Sequence, residues 1–138
     1  MTGLAVQAFL AVFLAWLLTT LLKGLVVRDS LSEGHRNGGI VSSHTATSSA
    51  LPIMLYLHDG ASPAFLVALL LTIVIGTDAV RVRKTLERQT RALNDLLDEH
   101  DHEELPVVEG HVYREVWAGA LVGLLVAVGV YFAVGAVS

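Results

Sequence analysis

Two histidines stand beside groups that could direct them toward phosphate chemistry. His111 and Glu115 are four residues apart, which places both on one face of a helix. A carboxylate bonded to one imidazole nitrogen fixes the tautomer and raises the nucleophilicity of the other nitrogen. His44 follows Gly38-Gly39 and Ser42-Ser43 at a predicted helix start, where backbone N–H groups and the helix dipole favour an anion. We therefore expect one histidine to attack phosphorus and the other to protonate the leaving oxygen.

Each histidine also has a structural interpretation when it is taken singly. His44 could be a helix-capping or buried structural histidine. His111 with Glu115 could be an interfacial polar pair.

Basic side chains lie where apolar segments end. Lys23 closes the first apolar run, and Arg81 and Arg83 follow Asp78 at the end of the third. An ionisable group costs roughly 2.5–3.5 kcal/mol at mid-membrane, so these groups need a reason to be there. Arg83 and Arg81 point about 200° apart on a helix, so one is expected to bind phosphate and the other to anchor the helix at the lipid head groups. Asp78 is three residues from Arg81 and is expected to orient it.

The composition is that of a membrane protein. The chain has 138 residues, of which 54% are hydrophobic and 16% are charged, against about 25% charged in a soluble domain. The apolar residues are concentrated in blocks long enough to span the bilayer. The chain contains no cysteine, which excludes disulfides, thiolate nucleophiles and zinc–thiolate sites.

The elements that must position these side chains are four predicted helices. We predict an all-α fold, a polytopic membrane bundle of four transmembrane helices in one domain, 1–138, with the third helix extended beyond the membrane to about residue 99. The predicted spans are roughly 4–27, 40–57, 63–82 and 113–137, and the polar loops are 28–39 and 100–112. The second span is the least apolar, and its many hydroxyl residues suit a helix packed closely among others.

Lysine and arginine fall almost wholly on one side of this topology. The positive-inside rule makes that side cytoplasmic, with both termini outside. Residues 100–104 read His-Asp-His-Glu-Glu, which we interpret as a solvated acidic loop, since adjacent residues in a flexible loop rarely converge on one ion. We therefore expect no metal, no cofactor and no nucleic-acid partner. Gly119 and Gly123 form a small-xxx-small pattern, which makes homo-oligomerisation through that helix face possible.

Four blocks along the chain carry a family resemblance. They are Trp16 with Lys23; Gly38-Gly39-Ile40-Val41-Ser42-Ser43-His44-Thr45-Ala46; Asp78-Ala79-Val80-Arg81-Val82-Arg83 with Gln89, Leu93 and Asn94; and Glu109-Gly110-His111-Val112-Tyr113-Arg114-Glu115-Val116 with Gly119, Ala120 and Gly123. In this order they resemble the divergent type 2 phosphatidic acid phosphatases, membrane proteins related to acid phosphatases and vanadium-dependent haloperoxidases. Three positions depart from the family pattern: Ile40-Val41 replaces Met-Pro, Val112-Tyr113 replaces Thr-Pro, and the glycine before Val82-Arg83 is missing.

The resemblance implies a role for each matching residue. It implies His111 as nucleophile, Glu115 as its acidic partner and His44 as the acid. The implied phosphate-binding residues are Lys23, Arg81, Arg83, Ser42, Ser43 and Gly39, with Asp78, Arg28 and Arg36 in support. The implied activity is metal-independent hydrolysis of a lipid phosphomonoester, with phosphatidylglycerophosphate favoured and an isoprenyl phosphate next. The alternative is a non-catalytic protein that binds phosphate or lipid head groups, or an assembly subunit.

Overall fold

The fold consists of four α-helices joined by short connections. A computed structural model describes residues 2–29, 41–98, 103–107 and 110–135. The helices are α1 (Thr2–Asp29), α2 (Ser43–Asp59), α3 (Pro63–Asp98) and α4 (Tyr113–Gly135). No strand occurs in these described ranges. The predicted all-α polytopic bundle is therefore confirmed.

Three of the helices, α1, α3 and α4, are long and apolar enough to cross a membrane. The third has 36 residues and is therefore about 54 Å long at 1.5 Å per residue. The hydrocarbon core of a bilayer is only about 30 Å thick. The second half of α3, which carries the charged residues, therefore extends beyond the membrane, as the sequence predicts.

The second helix, α2, is the shortest and the most enclosed. It packs against α1, α3 and α4, whereas, among the described residues, the α3 backbone approaches α4 at few points and α1 at none. Its hydroxyl groups bond to carbonyl oxygens: Thr47 to Ser43 and Ser48 to Thr45, each within α2. Thr72 of α3 also donates to the Ser48 carbonyl, at 2.8 Å. The hydroxyl groups that lower the hydropathy of α2 thus have hydrogen-bond partners. The surroundings of α2 are mainly the other three helices.

Two glycines of α4 allow it to lie directly against α2. A Cβ atom at Gly119 would lie 2.5 Å from the Ser42 carbonyl oxygen, and one at Gly123 would collide with the Ala46 carbonyl and the Ser49 hydroxyl. Both glycines are buried. The predicted small-xxx-small face is thus occupied within one chain and is not free for a second copy. Homo-oligomerisation stays a prediction, now without an assigned surface.

At the end of the bundle away from His44 and His111, three helices meet through a polar contact. Gln7 of α1 is buried, and its side-chain oxygen lies 2.7 Å from the His58 ring of α2. The same ring packs edge-on against Tyr131 of α4. Between the two ends the core is built largely of small side chains: Ala11, Ala15, Ala50, Met54, Ala127 and Val130.

Candidate functional site

His111 and Glu115 are in contact, as the four-residue spacing predicts, but His111 precedes α4, which begins at Tyr113, so the two do not share a helix face. The Nδ1 atom of His111 lies 2.8 Å from Oε2 of Glu115. The same oxygen accepts the Val112 N–H at 3.2 Å, so the carboxylate is held at the first turn of α4. The His111 side chain is only 7% exposed. In the neutral ring, a proton on Nδ1 donated to Glu115 leaves the lone pair on Nε2.

The start of α2 is fastened to the start of α4. The Ser42 N–H donates to the Glu115 carbonyl at 3.0 Å. The buried Ser42 hydroxyl caps α2 by accepting the Thr45 N–H at 3.4 Å and the Thr45 hydroxyl at 3.0 Å. His44 is the second residue of the helix, in the turn whose N–H groups lack partners within a helix. One backbone contact therefore brings the two predicted histidine sites to the same end of the bundle.

A cavity of about 260 Å³ lies at this end, between α2 and α3. Its polar lining is His44, Asp78 and Arg83, and its apolar lining is Val74, Ile75 and Ala79. The His44 ring interacts electrostatically with Arg83, Lys23 and His111. His111 does not line the cavity itself, but its backbone N–H donates to the carbonyl of the lining residue Ala79 at 3.1 Å. Residues of α2 and α3 thus line this volume, and Lys23 of α1 and His111, which precedes α4, interact electrostatically with its lining residue His44.

A second, larger cavity shares His44 with the first. It measures about 590 Å³ and lies between α1, α2 and α3. Its lining is mainly apolar, and Ser43, Thr47, Ser48 and Thr72 are the hydroxyl residues in it. From His44 to Leu51 it follows α2 for seven residues, or about 10 Å. A polar recess at the helix ends therefore continues into an apolar groove along the bundle.

The structure separates the predicted site residues into three groups. His44, Asp78 and Arg83 line the smaller cavity, with Lys23 and His111 in electrostatic reach. Arg81 is exposed and lines neither cavity, Ser42 caps α2, and Ser43 lines the apolar groove. Gly39, Arg36 and the side chain of Arg28 lie outside the described residues. Of the two arginines, Arg83 is the one beside His44, so Asp78 shares the cavity with Arg83 and not with Arg81.

Sequence reasoning missed the residues that hold the segment before α4. Its described residues, 103–107 and 110–112, are called here the return segment. Leu105 bonds to Asn94, Gly110 to Glu87 and His111 to Ala79. Glu87 also pairs with Arg91, four residues further along α3, at 3.3 Å. The one available signal was that Asn94 belongs to a block shared with the resembled family.

The acidic stretch 100–104 is described only in part. Glu103 and Glu104 are exposed, and residues 100–102 lie outside the described ranges. Within the residues that the structure describes, no three histidine, aspartate or glutamate side chains converge as a metal site would require.

Comparison with known proteins gives one match. The sequence family described as "Divergent PAP2 family" matches residues 4–126. This range includes all of α2 and α3, α1 without its first two residues and α4 without its last nine. It contains His44, His111, Asp78, Arg83 and Glu115. No curated protein and no solved structure matches the chain.

Proposed function

Because the chain belongs to the Divergent PAP2 family, we propose that it is a membrane lipid-phosphate phosphatase that hydrolyses a phosphomonoester through a histidine nucleophile, without a metal. The observation that carries this proposal is the His111–Glu115 pair at 2.8 Å, next to a recess lined by His44 and Arg83. A family relationship alone would support only a phosphatase-related membrane protein. The pair supplies a polarised imidazole, and the recess supplies cations for a phosphate.

In the proposed reaction, Nε2 of His111 attacks phosphorus in line and the bond from phosphorus to the lipid oxygen breaks. His44 gives a proton to the leaving oxygen, which becomes the lipid alcohol. Water then attacks the phosphohistidine, His44 takes up a proton from it, and inorganic phosphate leaves. Arg83 and Lys23 neutralise the phosphate oxygens. The charge of Glu115 stabilises the imidazolium form of His111.

The apolar groove supports a lipid substrate over a soluble phosphate ester. His44 lines both cavities, so a phosphate at the recess would have its hydrocarbon tail beside α1, α2 and α3. Phosphatidylglycerophosphate is the favoured substrate and an isoprenyl phosphate the next. By the positive-inside rule, the basic residues at this end favour the cytoplasmic face of the cell membrane, the face at which we expect phosphatidylglycerophosphate to be made.

The test is phosphate release by the purified full chain in detergent with chelator present. The panel contains phosphatidylglycerophosphate, an isoprenyl phosphate, phosphatidic acid and glycerol 3-phosphate. We expect release from at least one lipid phosphate, and a loss of at least about a hundredfold in His111→Ala. His58→Ala is the matched control, because it removes a histidine from the opposite end of the bundle.

Three outcomes would overturn the proposal in different ways. Full activity of His111→Ala would exclude the histidine nucleophile. Strict dependence on added Mg²⁺ would exclude the metal-free mechanism. Tight binding of phosphate or vanadate with no turnover of any lipid in the panel would favour the alternative, a non-catalytic protein that binds phosphate or lipid head groups.

A further inference from the structure

The return segment is fastened to α3 at three successive points. Leu105 exchanges two hydrogen bonds with the Asn94 side chain: its N–H donates to Oδ1 and its carbonyl accepts from Nδ2, both at 2.8 Å. The Gly110 N–H donates to Oε2 of Glu87 at 3.0 Å. The His111 N–H donates to the Ala79 carbonyl at 3.1 Å. Each contact is made by the backbone of the return segment, so together they fix its path and not only its side chains.

The three points follow one another along α3 toward the membrane. Asn94, Glu87 and Ala79 are seven and eight residues apart, close to two helical turns each, which is about 10–12 Å of rise per step. The step of seven residues returns to nearly the same face of the helix, and the step of eight turns about 80° further. The attachment points of the return segment therefore run antiparallel to α3, and His111 is the last of them before α4 begins at Tyr113.

At Gly110 the return segment lies directly on the helix. A Cβ atom there would be 2.7 Å from the Lys84 backbone nitrogen and 2.9 Å from its Cα. Only glycine allows this approach. The neighbouring Gly110 N–H needs an acceptor, and Glu87 provides it with one carboxylate oxygen while the other pairs with Arg91 at 3.3 Å. Glu87 is 16% exposed, against 55% for Arg91.

Gly110 immediately precedes the proposed nucleophile, His111. A displacement of the return segment at Gly110 would therefore move the His111 backbone, and with it the ring held against Glu115. The Glu115 bonds fix the ring relative to α4, but the contacts to α3 fix it relative to Ala79 and Arg83, which line the recess. The bonds to Glu115 and the contacts to α3 are therefore both needed to hold the imidazole at a defined distance from a phosphate in the recess.

We propose that Glu87 and Asn94 are positioning residues, which hold the return segment on α3 and so set His111 relative to the phosphate recess. This inference rests on the proposed function, because it gives these two residues a purpose in the same reaction. Neither residue contacts the recess, and both lie on the part of α3 that extends beyond the membrane. A purely structural role would instead affect only the stability of that extension.

The test compares four variants with the wild-type chain on the lipid phosphate that it hydrolyses best. Glu87→Ala removes the acceptor of the Gly110 N–H, and Asn94→Ala removes both hydrogen bonds to Leu105. Glu87→Gln keeps an oxygen that can accept the Gly110 N–H. Asp95→Ala, which changes an exposed neighbour on the same helix, is the control.

We expect Glu87→Ala and Asn94→Ala to lower kcat at least about tenfold and to leave KM within twofold, because a misplacement of about 1 Å can lower the rate a hundredfold. Glu87→Gln should recover most of the loss.

A second measurement does not depend on turnover. In protein labelled with ¹⁵N-histidine, Glu87→Ala should shift the ring signals of His111, assigned with His111→Ala, and leave those of His58 in place. Unchanged kcat together with unchanged His111 signals in Glu87→Ala and Asn94→Ala would overturn the inference. A wild-type chain that releases no phosphate from any lipid would refute the proposed function alone, and the ring signals would still decide on positioning.

Discussion

The Glu115 carboxylate makes two contacts, which have different roles. Its Oε2 atom accepts the Val112 N–H at 3.2 Å, which caps the first turn of α4, and it lies 2.8 Å from Nδ1 of His111. The first contact is structural and requires only an oxygen. The second faces an imidazole that would become positively charged when its other nitrogen attacks phosphorus, so it benefits from a full negative charge.

Replacing Glu115 by glutamine separates these two contributions. The amide oxygen still accepts a hydrogen bond, so we expect the melting temperature of Glu115→Gln to stay near that of the wild type. The missing charge should lower kcat roughly a hundredfold, within the range for lost acid–base assistance. Phosphate release and thermal unfolding in detergent measure the two effects. Glu104→Gln, which changes an exposed carboxylate in the return segment, is the control, and an equal loss there would contradict the assignment.

Local spacing determined how much of the site could be predicted from the sequence. The contact between His111 and Glu115 joins residues only four apart, so the sequence predicts it, although His111 lies two residues before α4 begins at Tyr113. The choice between Arg81 and Arg83 depends on how α3 is rotated against α2, which is a tertiary property. The position of Arg83 beside His44 therefore required the structure.

The part of α3 beyond the membrane acts as a support for the return segment. The Gly110 N–H bonded to Glu87 lowers the pKa of that carboxyl below its ordinary value, with further lowering by Arg91 and Lys84 and partial opposition from burial. A group whose pKa is lower in the folded state stabilises that state when ionised. The stabilisation is therefore present above the ordinary carboxyl pKa and is lost as the pH falls through the lower, folded value.

This linkage predicts a pH-dependent difference between the wild-type chain and Glu87→Gln. At pH 7 the wild type should melt at the higher temperature, because an ionised acceptor binds the Gly110 N–H and Arg91 more strongly than an amide does. Below about pH 4 the difference should shrink toward zero, because the protonated carboxyl resembles the amide. Thermal unfolding in detergent between pH 7 and pH 3.5 measures it. A difference that stays constant with pH, or one reproduced by Asp95→Asn, would contradict the linkage.

Elements differ in how well the sequence predicts them. The predicted spans of α1, α3 and α4 fall on apolar helices, because each of these helices contains a long stretch of high hydropathy. The second span is weakly apolar, and its place at the centre follows from contacts with three other helices. The path of the return segment could not be predicted, because Asn94 and Leu105 are eleven residues apart and no regular spacing links them.

At the scale of the whole molecule, close helix packing brings the charged helix ends together. Gly119 and Gly123 let α4 approach the α2 backbone, and that approach allows the contact between Ser42 and Glu115 at 3.0 Å. From the sequence alone, the same glycine spacing fits a contact within one chain as well as one between two chains. Only the three-dimensional arrangement assigns it to the interior.

Two apolar grooves run along the outside of this bundle, and they differ in what lies at their ends. The groove between α1, α2 and α3 begins at His44. The other, of about 480 Å³, is lined by α1 and α4, including Leu18, Leu21 and Val130, with no ionisable residue in its lining. Both would contact hydrocarbon in a bilayer, but of the two only the first joins the recess lined by His44, Asp78 and Arg83. We therefore expect the substrate tail in the first groove and ordinary lipid in the second.

Filling each groove in turn tests this assignment. Leu51→Trp adds bulk to the groove that reaches His44, and Leu18→Trp adds the same bulk to the other. If Leu51→Trp displaces about two methylenes of the tail, at about 0.8 kcal/mol each, kcat/KM for a long-chain lipid phosphate should fall roughly tenfold or more. Hydrolysis of a short-chain analogue should change little, because its tail does not reach Leu51. Leu18→Trp should leave both rates near those of the wild type.

Two outcomes would contradict this assignment. Equal losses of kcat/KM for long-chain and short-chain substrates in Leu51→Trp would indicate damage to the recess. A loss of kcat/KM for the long-chain substrate alone in Leu18→Trp would place the tail between α1 and α4.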